Sequence, residues 1–351
     1  MLVALCRSLE ARGIPQHVVT LTEGGANRAV LEAAGIPVHG LAPRGPLGAG
    51  TSAVSLALLI RRLRPAVLQG WLYHGDLLSA VSHRFAGTPA STLLAWGLRN
   101  SDIDHARYGR LLLAGRYLSR WPGIVISNSQ AGADFHLAQG YRPQRLAVIP
   151  NGINTDRFRP DHRARAVMRA ELGIAHNSIV AVHAARLDPM KDHVTLLEAA
   201  SRVPGVSFLL AGAGTETLDL PPNAVALGRR DDLDRLYAAA DVVVSTSAFG
   251  EGFSNALAEG MAAGLVPVAT HVGDAKLILS DIGHLVSPKD PAAIAAAILE
   301  LSALPVAERR GIGEAARARI ETRFGVAAMA DNFLAAWNGA GAVLNGQQNG
   351  R

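Results

Sequence analysis

A chain of 351 residues that is 49% hydrophobic and 18% charged exceeds one ordinary core and suits two domains of common size, which excludes disorder, collagen and coiled coil as its main state. Cys6 is the single cysteine, so an intramolecular disulfide and a cysteine metal cluster are both excluded. The net charge of +5 is uneven: residues 1–150 carry 15 Arg against 7 acidic residues, whereas residues 151–351 carry 19 Lys and Arg against 22 acidic ones.

The basic first half points to an anionic partner. Aromatics make up only 5% and no basic-aromatic stripe or zinc-finger spacing occurs, so a nucleic-acid partner is not expected. A phosphorylated substrate or an acidic membrane surface suits the asymmetry better. Arginines and acids interrupt every apolar run, as at 53–61 and 292–300, before it reaches the ~18 residues of a membrane span. Arg7 and Glu10 arrive too early for a secretory leader. A cytoplasmic protein is the expectation.

The chain opens inside a helical pattern (Leu2, Val3, Leu5, Leu9) and enters its first strand pattern at His17–Leu21. A doubly wound domain normally starts with a strand and a glycine-bearing turn, so the expectation is an N-terminal domain lacking both. Further strands are predicted at Val38–Leu41, Ala66–Gln69, Ser91–Trp96 and Ile124–Ser127. A second series follows at Ile179–Ala184, Ser207–Ala211, Ala224–Leu227, Asp241–Ser245, Val266–Thr270 and His284–Val286. Between the series, Pro150-Asn-Gly152 marks a strand end and turn. Helical patterns separate the strands, so the fold class is α/β with parallel sheets. The reading is two doubly wound, Rossmann-like domains, 1–150 and 151–325, facing a central cleft that holds the ligand. A helix over 326–338 returns to the first domain, and 339–351 reads as a disordered tail.

The most informative stretch runs from Val242 to Gly264. A buried strand enters a loop with Gly250 and Gly252, and a helix is predicted to start at Phe253–Asn255. Such a helix start is an anion site suited to a nucleotide diphosphate. Glu251 lies in the loop and Glu259 about two turns into the helix. Because phosphate repels carboxylate, their natural targets are sugar hydroxyls. The competing reading is an acidic first-turn residue and a solvated helix charge. In Ala184–Asp192, Arg186 can clamp a phosphate bidentately and Lys191 adds a compact charge. Lysine occurs only three times in the chain, at Lys191, Lys276 and Lys289, which makes Lys191 an improbable filler. Its competing reading is a surface ion pair with Asp188 or Asp192.

In the first half, Gly70–Asp76 and Trp96–Asp102 follow strands and can present His74, Asp76, Arg99 and Asn100 at strand ends, His74 being equally readable as a structural histidine. Gly212-Ala-Gly214 lacks the third glycine of a dinucleotide fingerprint, and Gly48-Ala-Gly-Thr-Ser-Ala53 follows a proline-rich turn instead of a strand. No P-loop, Gly-x-Ser-x-Gly elbow or His-Glu-x-x-His is present. Asp102 with Asp104 and Asp232 with Asp234 offer carboxylate pairs for Mg²⁺, more simply read as turn or helix-start acids.

Together these segments resemble glycosyltransferase family 4, retaining enzymes of the GT-B fold. The resemblance rests on Glu251 and Glu259 within Glu-Gly-Phe-Ser-Asn-Ala-Leu-Ala-Glu, on Arg186 with Lys191, and on Val148–Phe158 at the hinge. It implies that Arg186 and Lys191 bind the diphosphate of a UDP- or GDP-sugar, Glu251 the donor sugar and Glu259 the ribose. It also implies that the backbone of Gly252, Phe253, Ser254 and Asn255 contacts the donor, and that no metal or cofactor is needed. Where many members carry a histidine after the fourth strand, this chain has Trp96–Asn100. The implied activity is transfer to a saccharide or lipid-linked saccharide in surface polysaccharide assembly; a GT-B nucleotide-sugar epimerase or an inactive nucleotide-sugar binder is the alternative. The segment His105–Trp121, with Arg107, Arg110, Arg116 and Arg120, can lie on the inner face of an anionic membrane or form an ordinary half-buried helix.

Overall fold

A computed structural model describes residues 1–22, 25–41, 48–87, 92–102 and 105–342. The chain forms two compact units, one of residues 1–152 with 326–351 and one of residues 153–325.

In the first unit, helices α1 (Leu2–Glu10), α2 (Ala26–Ala33), α3 (Gly48–Leu63), α4 (Leu72–Ala86), α5 (His105–Leu118) and α6 (Gln130–Ala138) alternate with strands. β1 (Val18–Thr20) and β2 (Val38–Gly40) pair in parallel. β3 (Val67–Gln69), β4 (Leu93–Leu98), β5 (Ile124–Ser127) and β6 (Leu146–Val148) form a separate parallel sheet in that order. β6 is absent from the sequence reading, because a three-residue edge strand running into Ile149-Pro150 looks like part of the hinge.

β4 runs two residues further than its pattern suggested, so Gly97 and Leu98 are strand residues, and Trp96 is core at 1% exposure. Gly97 within the strand has a packing reason. A Cβ on Gly97 would stand 2.8 Å from the carbonyl oxygen of Gly70, so only glycine lets the end of β3 approach. Gly48-Ala-Gly likewise belongs to the first turn of α3. Asp104, the side chain of Arg107 and residues 343–351 lie outside the described residues.

The second unit begins with α7 (His162–Glu171), β7 (Ile179–Ala184), α8 (His193–Ser201), β8 (Val206–Ala211) and β9 (Ala224–Ala226). It continues through α9 (Leu233–Ala239), β10 (Val242–Ser245), α10 (Asn255–Ala262), β11 (Val266–Thr270), α11 (Ala275–Leu279), β12 (His284–Val286), α12 (Pro291–Ala303) and α13 (Val306–Phe324). Its parallel sheet has the order β12-β11-β10-β7-β8-β9 and is buried on both faces, which is why its strands read as near-continuous β-branched runs. From β7 the chain winds outward through β8 and β9, then restarts on the other side at β10. The order therefore reverses between β7 and β10.

The final helix, α14 (Val326–Gly339), belongs to the first unit, where Met329, Phe333 and Trp337 pack with Leu5, Leu9 and Ile126. Burial of each large side chain contributes ~1.5–3 kcal/mol. Among the described residues no single helix is long and apolar enough to cross a membrane.

Candidate functional site

Ligands of open α/β sheets bind where strand order reverses, outside the carboxyl ends. In the second unit that point lies beyond β7 and β10, which pair directly through Val242 with Ala181 and Val243 with Val182. After β7, Asp188 accepts from the Met190 N–H at 3.0 Å and caps a short 3₁₀ turn, Pro189–Lys191. After β10, Thr246 Oγ1 donates to the Lys191 carbonyl at 2.8 Å, and the Ala248 N–H to the Met190 carbonyl at 2.8 Å. The two loops are thereby stitched together, and Lys191 Nζ meets Glu251 Oε2 in a largely buried ion pair. Ser247 Oγ donates to the same carboxylate oxygen at 2.8 Å.

α10 starts at Asn255 with Ser254 as its N-cap and no side-chain cap bond, so the positive end of its dipole faces the loop. The Phe253 side chain is buried against Phe324 at 5.5 Å between ring centroids, leaving only its backbone for a ligand. Ser254 is buried and Asn255 exposed. The Asp274 N–H donates to the Gly252 carbonyl at 3.0 Å and braces the loop.

Glu259 lies on α10, and burial pushes its pKa up to about 7, against the opposing pull of Arg157 and the Tyr237 phenol. Arg186 points elsewhere: it pairs with Asp188 at 2.7 Å and remains 65% exposed. Such an exposed pair is worth ~0–1 kcal/mol, little resistance to exchange for a phosphate. Lys191 and Glu251 are therefore in contact, while Arg186 and Glu259 are each held by other partners. The carboxylates of the proposed Mg²⁺ pair are likewise engaged, Asp232 by Arg230 at 2.6 Å and Asp234 by Arg157 at 2.9 Å.

In the first unit, Asp76 is buried on α4 and Arg99 follows β4. Asn100 hydrogen-bonds the Tyr73 phenol, whose pKa is raised chiefly by burial. His74 is exposed, with its ring 6.5 Å edge-on from Tyr108.

Two family models cover most of the chain: "Glycosyltransferase Family 4" matches residues 1–157 and "Glycosyl transferases group 1" residues 178–303. The chain is a member of glycosyltransferase family 4. Among its relatives is a D-inositol 3-phosphate glycosyltransferase of Segniliparus rotundus, 33% identical over 240 residues, 62% of this chain and 52% of that protein. The Mycobacterium tuberculosis protein of the same name is 30% identical over 246 residues, 65% of this chain and 51% of that protein. This family 4 chain thus spans about half the length of the curated relatives it matches. Its fold resembles Anabaena Alr3699/HepE, solved with UDP, at a TM-score of 0.82 and 23% identity, covering 96% of each chain. It also resembles a sucrose-phosphate synthase of Thermosynechococcus elongatus at a TM-score of 0.76 and 19% identity, over 95% of this chain and 91% of that one. These likenesses place the parallel α/β architecture among GT-B glycosyltransferases.

Sequence reasoning missed Ser247 and Tyr237, which hold Glu251 and Glu259. Ser247 sits in the right loop, four residues before Glu251, and was legible as a local partner. Tyr237 was not, because an aromatic in a helical pattern reads simply as core.

Proposed function

We propose that the protein is a retaining, metal-independent glycosyltransferase that moves a sugar from a UDP- or GDP-sugar to a saccharide or lipid-linked saccharide. The observation that carries this reading is the Lys191–Glu251 pair, held where strand order reverses in the second unit and beside the start of α10. A fixed ammonium and a helix start stabilise charge developing on a departing nucleotide diphosphate, and they need little reorganisation to do so. Glu251 accepts from hydroxyls of the donor sugar, Glu259 from the ribose, and Arg186 exchanges Asp188 for phosphate. Retention at the anomeric carbon follows the family.

The UDP bound by the structural relative and the glycosyl transfer named for the curated relatives support a nucleotide-sugar donor and a hydroxyl-bearing acceptor of the saccharide class. The setting we propose is surface polysaccharide assembly at the inner face of the cell membrane. α5 supports it: Leu112 is buried, whereas Arg110, Arg116, Leu113 and Tyr117 are exposed, an arrangement suited to an anionic bilayer. Flotation with liposomes tests this, and equal binding to neutral and anionic vesicles would contradict it.

Labelled UDP- and GDP-sugars, incubated with and without saccharide acceptors and with EDTA, test the activity. Acceptor-dependent, EDTA-resistant transfer is expected. A changed sugar without acceptor would mean epimerisation, and an intact donor in every arm would mean a binder.

A further inference from the structure

We infer that the carboxyl ends of β3, β4 and β5 in the first unit form a binding site for an acidic saccharide, with Arg99 taking its oxyanion. The inference rests on the glycosyltransferase reading above, and it assigns the acceptor to this unit and adds the acceptor's charge.

Arg99 follows β4, and its guanidinium lies over the Trp71 ring with Cζ 4.5 Å from the centroid. Nη1 donates to Asn151 Oδ1 at 3.1 Å. The other edge of the plane, Nε and Nη2, is shielded from solvent and has no hydrogen-bond partner among the described residues. Those two N–H groups run parallel, in the geometry that grips two oxygens of one carboxylate or phosphate. Stacking on Trp71 and the bond to Asn151 fix the plane in advance. A purely structural arginine gains nothing from leaving its bidentate edge unmet, because a buried unpaired donor is costly.

Two neighbours share this condition. Asn128 is the first residue after β5 and is 6% exposed, and its N–H donates to the Leu98 carbonyl at 3.2 Å, which sets it beside Arg99. Its Oδ1 has no partner among the described residues. Asp76 is 2% exposed and accepts from the Gly97 N–H at 3.0 Å through Oδ1, while Oδ2 has no partner among the described residues. Burial pushes Asp76 up to about 8, against the opposing pull of the Gly97 N–H and of Arg99, which weakens it as a counter-charge for that guanidinium. One cationic fork, one amide oxygen and one carboxyl group therefore stand unmet at adjacent strand ends. Their complement is a ligand with an oxyanion for the fork and hydroxyls for Asn128 and Asp76. A neutral sugar satisfies only the last two.

Glucuronate, glucose 6-phosphate and glucose are the probes, titrated into wild type, Arg99→Gln and Arg99→Lys while the Trp71 indole ¹⁵N–¹H resonance is followed. Wild type is expected to bind at least one charged probe about tenfold or more tighter than glucose, a typical worth of a charge-assisted bond. The tighter of the two charged probes tells a carboxylate ligand from a phosphate one. Arg99→Gln is expected to lose that preference, and Arg99→Lys, which keeps charge without the fork, to keep only part of it. Equal binding of all three probes to wild type, or an undiminished preference in a folded Arg99→Gln, would overturn the inference. The wild-type comparison decides even where a variant fails to fold. UDP and GDP are titrated in parallel: if neither binds, the reading of the second unit fails on its own, whereas the strand-end site is judged by the three probes.

Discussion

Lys191 and Glu251, sixty residues apart in sequence, form an ion pair in which each side chain is less than one-fifth exposed. Neither charge is well solvated, so each depends on the other until a ligand arrives. A donor diphosphate would draw Lys191 toward phosphate and release Glu251 toward sugar hydroxyls.

Lys191→Ala and Glu251→Gln are therefore each expected to reduce transfer by ~10²–10³ or more, the range seen when a fixed charge-stabilising group is removed. The fold should survive both, since neither residue belongs to a hydrophobic core. Steady-state rates beside melting curves check this; near-native turnover in either variant would count against the assigned roles.

Glu259 makes the site pH-dependent. Its folded pKa of about 7 lies above the ordinary 4.5, so the folded chain binds more protons than the unfolded one between those values. This group's contribution to stability thus falls as pH rises from about 4.5 to 7, and the burial cost of the ionised form is fully present above that window. Glu259→Gln is expected to raise the Tm more at pH 8 than at pH 5. Donor affinity should move the opposite way in wild type, improving through pH 7 as the carboxylate gains the charge that attracts ribose hydroxyls. A pH-independent nucleotide Kd would contradict the ribose role.

Asp241 ties α7 to the sheet. It accepts from Arg165 at 2.7 Å, from Arg169 at 2.8 Å and from the Val180 N–H at 2.9 Å, and the Arg169 side chain is only 3% exposed. Asp241→Asn leaves a buried guanidinium without its counter-charge, an expected loss of ~3 kcal/mol. Urea denaturation measures it, and a loss below about 1 kcal/mol would show that the carbonyls around Arg169 suffice.

Gly260 links packing to chemistry. A Cβ there would stand 2.6 Å from Val243 Cβ, so α10 rests directly on β10. Gly260→Ala gains helix propensity of up to ~1 kcal/mol but forces the helix off the strand, at an overpacking cost of ~1–3 kcal/mol. The net expectation is a modest fall in Tm with a larger fall in kcat/KM, because Ser254 and Glu259 move with the helix. Unchanged kinetics would imply that the site tolerates the shift.

Much of the second unit was legible in the sequence. β7, β11 and β12 begin and end where their patterns place them, because strands buried on both faces need unbroken apolar runs bounded by turns. The first unit was harder. β6 is a short edge strand that merges with the hinge, and the close approach of β3 that Gly97 permits is a tertiary feature. Arg186 with Asp188 is local spacing and was readable as a surface pair. The contact of Lys191 with Glu251 depends on β7 and β10 becoming neighbours, which no local pattern encodes. The burial of Asp76 and the unmet edge of Arg99 likewise belong to tertiary packing.

The most direct test is a crystal structure of the protein with UDP or GDP bound. The account predicts the diphosphate at the start of α10, with Lys191 turned from Glu251 to phosphate and Glu259 on the ribose. A nucleotide bound elsewhere, or one bound here with the Lys191–Glu251 pair intact and Glu259 still facing Tyr237 and Arg157, would contradict it.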